Sequence, residues 1–289
     1  MGVRFFKKPK LVRPFLIAGW PDAGFVGSKA ISYLKQKLKA DPFAQIDPFD
    51  FITSLPKSMV RGGILIRLEF PLYEFSFWKG DGEHDLVIFQ GDFPQINHYK
   101  FVNLMLDVAQ DMGVERIFTV GGFLAPISHK ETPEVLAVVN SPVLVQVIKE
   151  AGIKLGVDYH GPTSMCGLLI GAARGRKLEG ISLWGQVPNY LSRVPNPKIA
   201  KLVLEALMKL IDLKIELGDL EREAREAEEQ IEKLVEAART KQPQFDEYLR
   251  KLERKREREL RKEEVEELLE EIEDFLQHRG EGGEGRDGT

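Results

Sequence analysis

The sequence predicts an α/β protein, a mostly parallel sheet with helices on both faces, followed by an α-helical hairpin of coiled-coil type. Short apolar runs ending at glycine recur from Phe15 onward, as strands covered on both faces require. Between them lie segments whose apolar residues return every three to four positions, the spacing of one helix face. From Val203 to Ala238 that spacing becomes a strict alternation of three and four, the period of a left-handed supercoil. These shifts set the expected organisation: an α/β core over 1–198, a helical extension over 199–277 and a disordered tail over 278–289.

The first unit is organised around Leu11–Leu38. Phe15, Leu16, Ile17 and Ala18 form a buried strand ending at Gly19. Trp20-Pro21-Asp22-Ala23-Gly24 forms a turn, and Ile31, Leu34 and Leu38 mark the helix after Gly27. A strand, a glycine-containing turn and a helix are the first half of a βαβ unit, which often holds a nucleotide. This turn lacks the residues for that task. Gly19 and Gly24 have the P-loop separation, but Phe25 and Val26 stand where lysine and serine or threonine belong. Pro21 occupies the second glycine of the dinucleotide fingerprint, and Asp22 opposes an anion at the helix N-terminus. The glycines are therefore read as allowing the turn, and Asp22 as capping the helix.

The segment DPFAQIDPFDFITSL reads as a proline-broken connection. ILIRLEF and YEFSFWKG then read as an antiparallel hairpin or meander joined through Pro71. DLVIFQGD is a central strand, and the helix after it, about Ile96 to Met112, closes at Gly113. RIFTV ends at Gly121-Gly122, and VLAVVN leads to Ser141-Pro142, where serine caps and proline takes the first helical position. HGPTSMCGLLIGAARGRKL supplies a turn and a helix, and GISLWGQVP the last strand. The heptad seam passes without a break through Val203, Ala206, Leu210, Leu213, Leu217, Leu220, Ala224, Ala227, Ile231, Leu234 and Ala238. Leu213, Leu217, Leu220 and Ile231 are its candidate helix-association residues. Pro243 ends it, and a second helical stretch runs from Phe245 through Leu249, Leu252, Leu260, Val265, Leu268 and Ile272 to Phe275.

Composition narrows the function. The chain has 289 residues, 43% of them hydrophobic, and no apolar run long enough to span a membrane. Its N-terminus lacks the apolar core of a signal peptide, and its single cysteine, Cys166, fits a reducing compartment. The expected location is the cytoplasm. Up to Pro197 there are 22 basic and 18 acidic residues, and from Lys198 onward 19 basic and 27 acidic. Neither part has the basic surface of a nucleic-acid binder. Without a Cys cluster, and with five scattered histidines, no metal or other cofactor is expected.

The chemistry-bearing residues gather at strand ends. Asp22 and Asp92 each follow a strand, at the carboxyl edge where α/β sheets place ligands. With His129 they define an enzymatic alternative, a hydrolase or phosphorylase with a small-molecule cleft at that edge. Asp158 and His160 flank another turn and form a candidate acid–base pair. Cys166 lies among Leu168, Leu169 and Ile170, a setting for a buried hydrophobe rather than a thiolate. The same loops carry Trp20, Phe93, Phe123 and Tyr190, aromatics of the kind enriched in protein interfaces. Together with Asp22 they are the candidate protein-interaction residues.

Five stretches occur in a particular order: GWPDAGFVG, GDFP followed by Tyr99 and Phe101, GVERIFTVGGFLAP, DYHGPTSMCGLLIG, and EGISLWGQVPNYLSRVPNP. In that order, over roughly Pro14 to Leu217, the chain resembles the proteasome assembly chaperone family in its archaeal form. The helical extension rich in Glu and Arg is similar as well. The resemblance implies a fold like that of purine nucleoside phosphorylases, used for protein binding rather than catalysis. It also implies self-association, and engagement of core-proteasome α subunits or of a paralogous chaperone. Members that dock on the assembled proteasome tend to end in a hydrophobic residue, a tyrosine and one final residue. This sequence ends Arg286-Asp287-Gly288-Thr289, which departs from that pattern.

Overall fold

The computed structural model describes residues 2–258 and 261. The chain divides into two units, the first running to Ile231 and the second starting at Glu232.

The first unit is built on a nine-stranded sheet. Its strands are β1 (Val3–Phe5), β2 (Phe15–Gly19), β3 (Asp41–Ile46), β6 (Tyr73–Trp78), β7 (Leu86–Gly91), β8 (Arg116–Ala125), β9 (Val135–Val139), β10 (Lys154–Leu155) and β11 (Glu179–Pro188). The order across the sheet is β1-β3-β6-β7-β2-β8-β11-β9-β10. The centre, β7-β2-β8-β11, is parallel, as the apolar runs predict. Towards both flanks the pairing turns antiparallel, β6 against β7, β3 against β6, β1 against β3, and β9 against β11, while β10 at the far edge runs parallel to β9. The sheet is therefore mixed, with more antiparallel pairing than an insertion near residues 60–80 would give. β3 was hidden by Pro42, which the strand accommodates at a shift of register between Pro42 and Ala44.

Five helices cover the sheet: α1 (Val26–Lys37), α2 (His98–Asp111), α3 (Val143–Glu150), α4 (Met165–Gly175) and α5 (Pro197–Ile211). Leu16 and Ala18 join Phe101 and Met105 of α2 and Leu169 of α4 in one core cluster. On the other face, a Cβ on Gly19 would lie 2.9 Å from Ile31 of α1, and one on Gly185 2.3 Å from Ile199 of α5. Close helix–sheet contact thus explains glycine at both points. Thr119 donates its hydroxyl to Ser182 at 2.7 Å, satisfying two buried polar groups between β8 and β11. Pro142 rather than Ser141 holds the cap position of α3, and Ser141 accepts there through its backbone carbonyl from Leu144.

The 57–69 region departs from the expected meander. The strand β5 (Ile64–Glu69) pairs with β4 (Lys57–Arg61), not with β6, and the two form a separate two-stranded sheet. Gly62 and Gly63 make its turn with φ of 57° and 79°, left-handed values that glycine adopts without a steric cost. Sequence periodicity detects strands but not their partners, so β5 and β6 looked like neighbours.

The heptad seam is not one continuous helix. α5 ends at Asp212, which adopts φ 46°, and residues 213–217 are non-helical before α6 (Gly218–Lys241) begins. α5 packs into the α/β body, so that body continues past residue 198. Leu213 and Leu217 lie in the link and are half-buried, whereas Leu220 and Ile231 are buried in α6. Leu234 is 57% exposed and Val235 is buried instead. The buried face thus moves from Ile231 to Val235 by a step of four, following the 3.6-residue turn of an ordinary helix.

The first part of α6 is fastened to α1. Tyr33 donates its hydroxyl to Asp219, Lys37 bonds the same carboxylate at 3.3 Å, and Lys29 pairs with Glu223. The Tyr33 hydrogen bond, followed by that from Lys37, holds the Asp219 carboxyl down at about 2. Because its folded value lies below the unfolded one of about 4, its stabilising contribution is present above pH 4 and is lost as pH falls towards 2. Acidification across that window is expected to loosen α6 before the sheet melts. Amide exchange in α6 should rise there in the parent, whereas Tyr33→Phe should raise it already at neutral pH.

In the second unit a further helix spans 243–258. Leu249 and Leu252 are buried there with Val235, and Arg239 bridges Asp246 and Glu253. Leu260, Val265, Leu268, Ile272 and Phe275, together with the tail expected over 278–289, lie outside the described residues. Among the described residues, no helix is long and apolar enough to cross a membrane.

Candidate functional site at the carboxyl edge of the sheet

The parallel strands β2, β7, β8 and β11 deliver their following loops to one edge of the sheet. At its centre the turn after β2 is sharply folded. Gly24 and Phe25 take successive left-handed conformations, φ 63° and 55°. The Gly24 N–H donates to Ser192 O, and the Asn196 N–H donates to Gly24 O, tying the turn to the segment leading into α5. Phenylalanine in a left-handed conformation is strained, so this geometry is imposed by the packing around it.

Asp22 occupies the place a bound anion would take. Its carboxylate accepts from the Gly122 N–H at 2.6 Å and from the Gly27 N–H at 3.1 Å. Gly27 is the second residue of α1, so Asp22 satisfies a donor of the helix N-terminus, although Phe25 rather than Asp22 holds the cap position itself. It also joins α1 to β8, a connection the local sequence did not disclose. Side chains larger than hydrogen are excluded around it: a Cβ on Gly121 would lie 2.6 Å from Asp22 Oδ2, and one on Gly27 3.0 Å. Burial pushes the Asp22 carboxyl up to about 7, with the backbone donors of Gly122 and Gly27 pulling the other way.

Asp92 and His129 are each engaged by structural partners. Asp92 accepts from the Leu72 N–H at 3.0 Å, closing the β6–β7 end of the edge. His129 is held by Tyr190, whose hydroxyl lies 2.7 Å from both the His129 backbone nitrogen and its Nδ1. Asp158 and His160 are exposed in the loop preceding α4. Cys166 is buried, with burial followed by the charge of Asp22 raising its thiol to about 12, a value that suppresses the thiolate. Among the described residues, no group of three or more His, Cys, Asp and Glu side chains is placed to hold a metal.

The predicted aromatic group separates. Trp20 is 3% exposed and packs against Phe89, so it is a core residue rather than part of the accessible surface. Its place after a buried apolar run is the signal for that. Phe123 and Tyr190 are half-buried, Tyr190 with His129. Phe93 is exposed and leans on His98. Phe25 and Leu124, which the sequence reading passed over, add exposed apolar surface at the same edge. Leu124 follows Phe123 in an extended strand, so its side chain takes the opposite direction.

The comparisons agree with this architecture. The PAC2 family matches residues 16–235. PbaB of Pyrococcus furiosus, described as an archaeal proteasome activator, is 29% identical, with a TM-score of 0.69 over 80% of this chain and 97% of its own. A PAC2 family protein of Streptomyces avermitilis is also 29% identical, with a TM-score of 0.70 over 81% and 99%. An uncharacterised protein of Methanocaldococcus jannaschii is 28% identical over 251 residues, 82% of this chain and 93% of that one. From the strand-end motifs, the sheet they build and the span of the match, the chain belongs to the proteasome assembly chaperone (PAC2) family.

Proposed function

We propose that this protein is a non-enzymatic, homo-oligomeric assembly factor of the cytoplasm that binds core-proteasome α subunits or a paralogous chaperone. The observation that carries this reading is Asp22. The backbone donors that would hold a phosphate at the β2–α1 turn are filled by the chain's own carboxylate, in a cradle of glycines too tight for a ligand atom. Asp92 and His129 are likewise engaged, which counts against a hydrolase or phosphorylase using them. The edge instead offers Phe25, Phe93 and Leu124 to a protein surface. The relation to PbaB, named as a proteasome activator, supports the choice of partner.

The mechanism is occupancy. Apolar surface on an α subunit is covered until its proper neighbour displaces the chaperone. Helices 218–241 and 243–258 act as a coiled-coil hairpin whose charges disfavour wrong contacts. Native mass spectrometry of the protein with α subunits is expected to show a homo-oligomer and a defined mixed complex. Phe93→Ser with Leu124→Asp should weaken the mixed complex by at least about tenfold, since each removes apolar contact. No mixed complex with the parent protein would overturn the partner. Thermal stabilisation by a nucleotide or nucleoside, lost in Asp22→Ala, would overturn the non-enzymatic reading.

A further inference from the structure

The first part of α6 lies against α5 as well as α1. Lys198 of α5 pairs with Glu228 at 2.6 Å, and Lys201 lies 3.9 Å from Glu221. The order of these contacts is reversed along the chain, so α5 and α6 form an antiparallel hairpin. α1 holds the same part of α6 through Lys29 with Glu223, and through Tyr33 and Lys37 with Asp219. Arg222 and Glu226 also line the gap between α1 and α6. Leu220, Ala224 and Ile231 are buried.

Both α5–α6 pairs are centred on the link: Lys198 and Glu228 lie equally far from 213, and Lys201 and Glu221 from 211. An antiparallel hairpin with that centre has a second solution. When the link becomes helical, α5 and α6 join into one rod. Two such rods lie side by side, with α6 of each copy against α5 and α1 of the other. Every contact named above is then remade between copies in the same register.

The sequence carries what the second form needs. The heptad seam keeps its phase through Leu210, Leu213, Leu217 and Leu220, although a non-helical link demands no phase. Residues 213–217 contain no glycine or proline, and their leucines, lysine and glutamate are strong helix formers. Gly218, a poorer one, is already helical as the first residue of α6. The closed hairpin instead bends at Asp212 with φ 46°, a left-handed conformation unfavourable to a residue with a Cβ. It leaves Leu210, Leu213 and Leu217 half-buried. In the paired rods these leucines occupy the centre and face the seam of the other copy. Lys209 and Glu216, both exposed in the hairpin, fall opposite each other across that centre.

We infer that the hairpin opens at 212–217 into a continuous helix, and that a second copy of this chain, opened in the same way, receives α6 in its α1–α5 groove. The occupant follows from the fit: α6 is the helix this groove holds, and every copy carries both. This inference rests on the self-association proposed above and locates the contact that produces it.

Two substitutions at one residue test the hinge, because they act in opposite directions. Asp212→Gly relieves the left-handed bend and disfavours the rod. The dimer seen by native mass spectrometry and ultracentrifugation should then weaken at least about fivefold, and Asp212→Ala should strengthen it by a similar factor. Mixing tests the exchange. Lys29→Glu with Lys198→Glu reverses the groove, and Glu223→Lys with Glu228→Lys reverses α6. Each double variant repels its own kind, whereas a mixed dimer has opposite charges at both interfaces. Mixed dimers in clear excess over random pairing are expected. Random pairing, with equal dimer content in the two Asp212 variants, overturns the exchange while leaving self-association intact. A monomeric parent protein overturns both. An Asp212→Ala change that strengthens a complex with an α subunit but not the dimer overturns the choice of occupant. Circular dichroism and melting of each variant confirm that the α/β body is retained.

Discussion

Asp22→Ala is expected to lower the free energy of unfolding by about 3 kcal/mol, because the Gly27 and Gly122 N–H groups lose their shared acceptor and each unsatisfied donor costs about 1–3 kcal/mol. The loss should appear in chemical denaturation as a lower midpoint with an unchanged slope, the signature of altered stability rather than altered compactness. The same residue sets a pH dependence whose sign differs from that of a salt-bridged carboxylate. Native Asp22 keeps its proton up to about 7, whereas an unfolded aspartate releases it near 4. Folding therefore takes up a proton between those values, so this group favours the native state most below pH 4. Its contribution declines from pH 4 to 7 and does not return above 7. Melting temperatures of the parent and Asp22→Asn, measured across that range, isolate it because the other carboxylates are common to both. The parent's advantage should be larger at pH 4 than at pH 7.5. An advantage that grows with pH would show that the backbone donors outweigh burial.

Gly122→Ala is expected to cost more than about 3 kcal/mol, or to prevent accumulation of folded protein, since overpacking and a displaced hydrogen bond act together. Its Cβ would lie 2.4 Å from the Ala23 carbonyl and 2.9 Å from methyl groups of Val26 and Val187. The backbone at Ala23 must move, and that movement pulls Asp22 from the Gly122 N–H. Gly171→Ala is the control: nothing lies within 4 Å of its added Cβ. A glycine-to-alanine change inside α4 should stabilise by about 0.5–1 kcal/mol. Equal melting temperatures for Gly122→Ala and the parent would mean that the turn after β2 is far more yielding than its packing indicates.

These two residues show what the sequence disclosed and what it withheld. Asp22 was legible as a partner of the helix N-terminus because it precedes a helix whose start is marked by Gly27 and the later apolar period. Its bond to Gly122 spans 100 residues of chain, and no local pattern encodes a contact of that separation. The parallel centre was legible because β2, β7, β8 and β11 are continuous apolar runs. β1 and β10 were not, being three and two residues long, too short to show a period. Trp20 was misplaced for a related reason: an aromatic beside a turn signals either an interface or the end of a core, and only the position of α2 and α4 decides between them. Tyr33, Lys29 and Lys37 gave no signal as fasteners, because their partners in α6 lie far away in sequence. The alternation in ILIRLEF disclosed a strand, while its exposure depends on the absence of any layer above it.

The non-helical link at 213–217 uncouples angular phase from chain length. Had α5 run unbroken into α6, each inserted or deleted residue would have rotated everything beyond it by about 100° about the helix axis. The contacts of Asp219 and Glu223 with α1 would then have been lost at a stroke. A stretch of extended chain absorbs the change as slack. The body and the helical extension are thus free to vary in length on separate evolutionary schedules, each keeping its own packing while the other is rewritten.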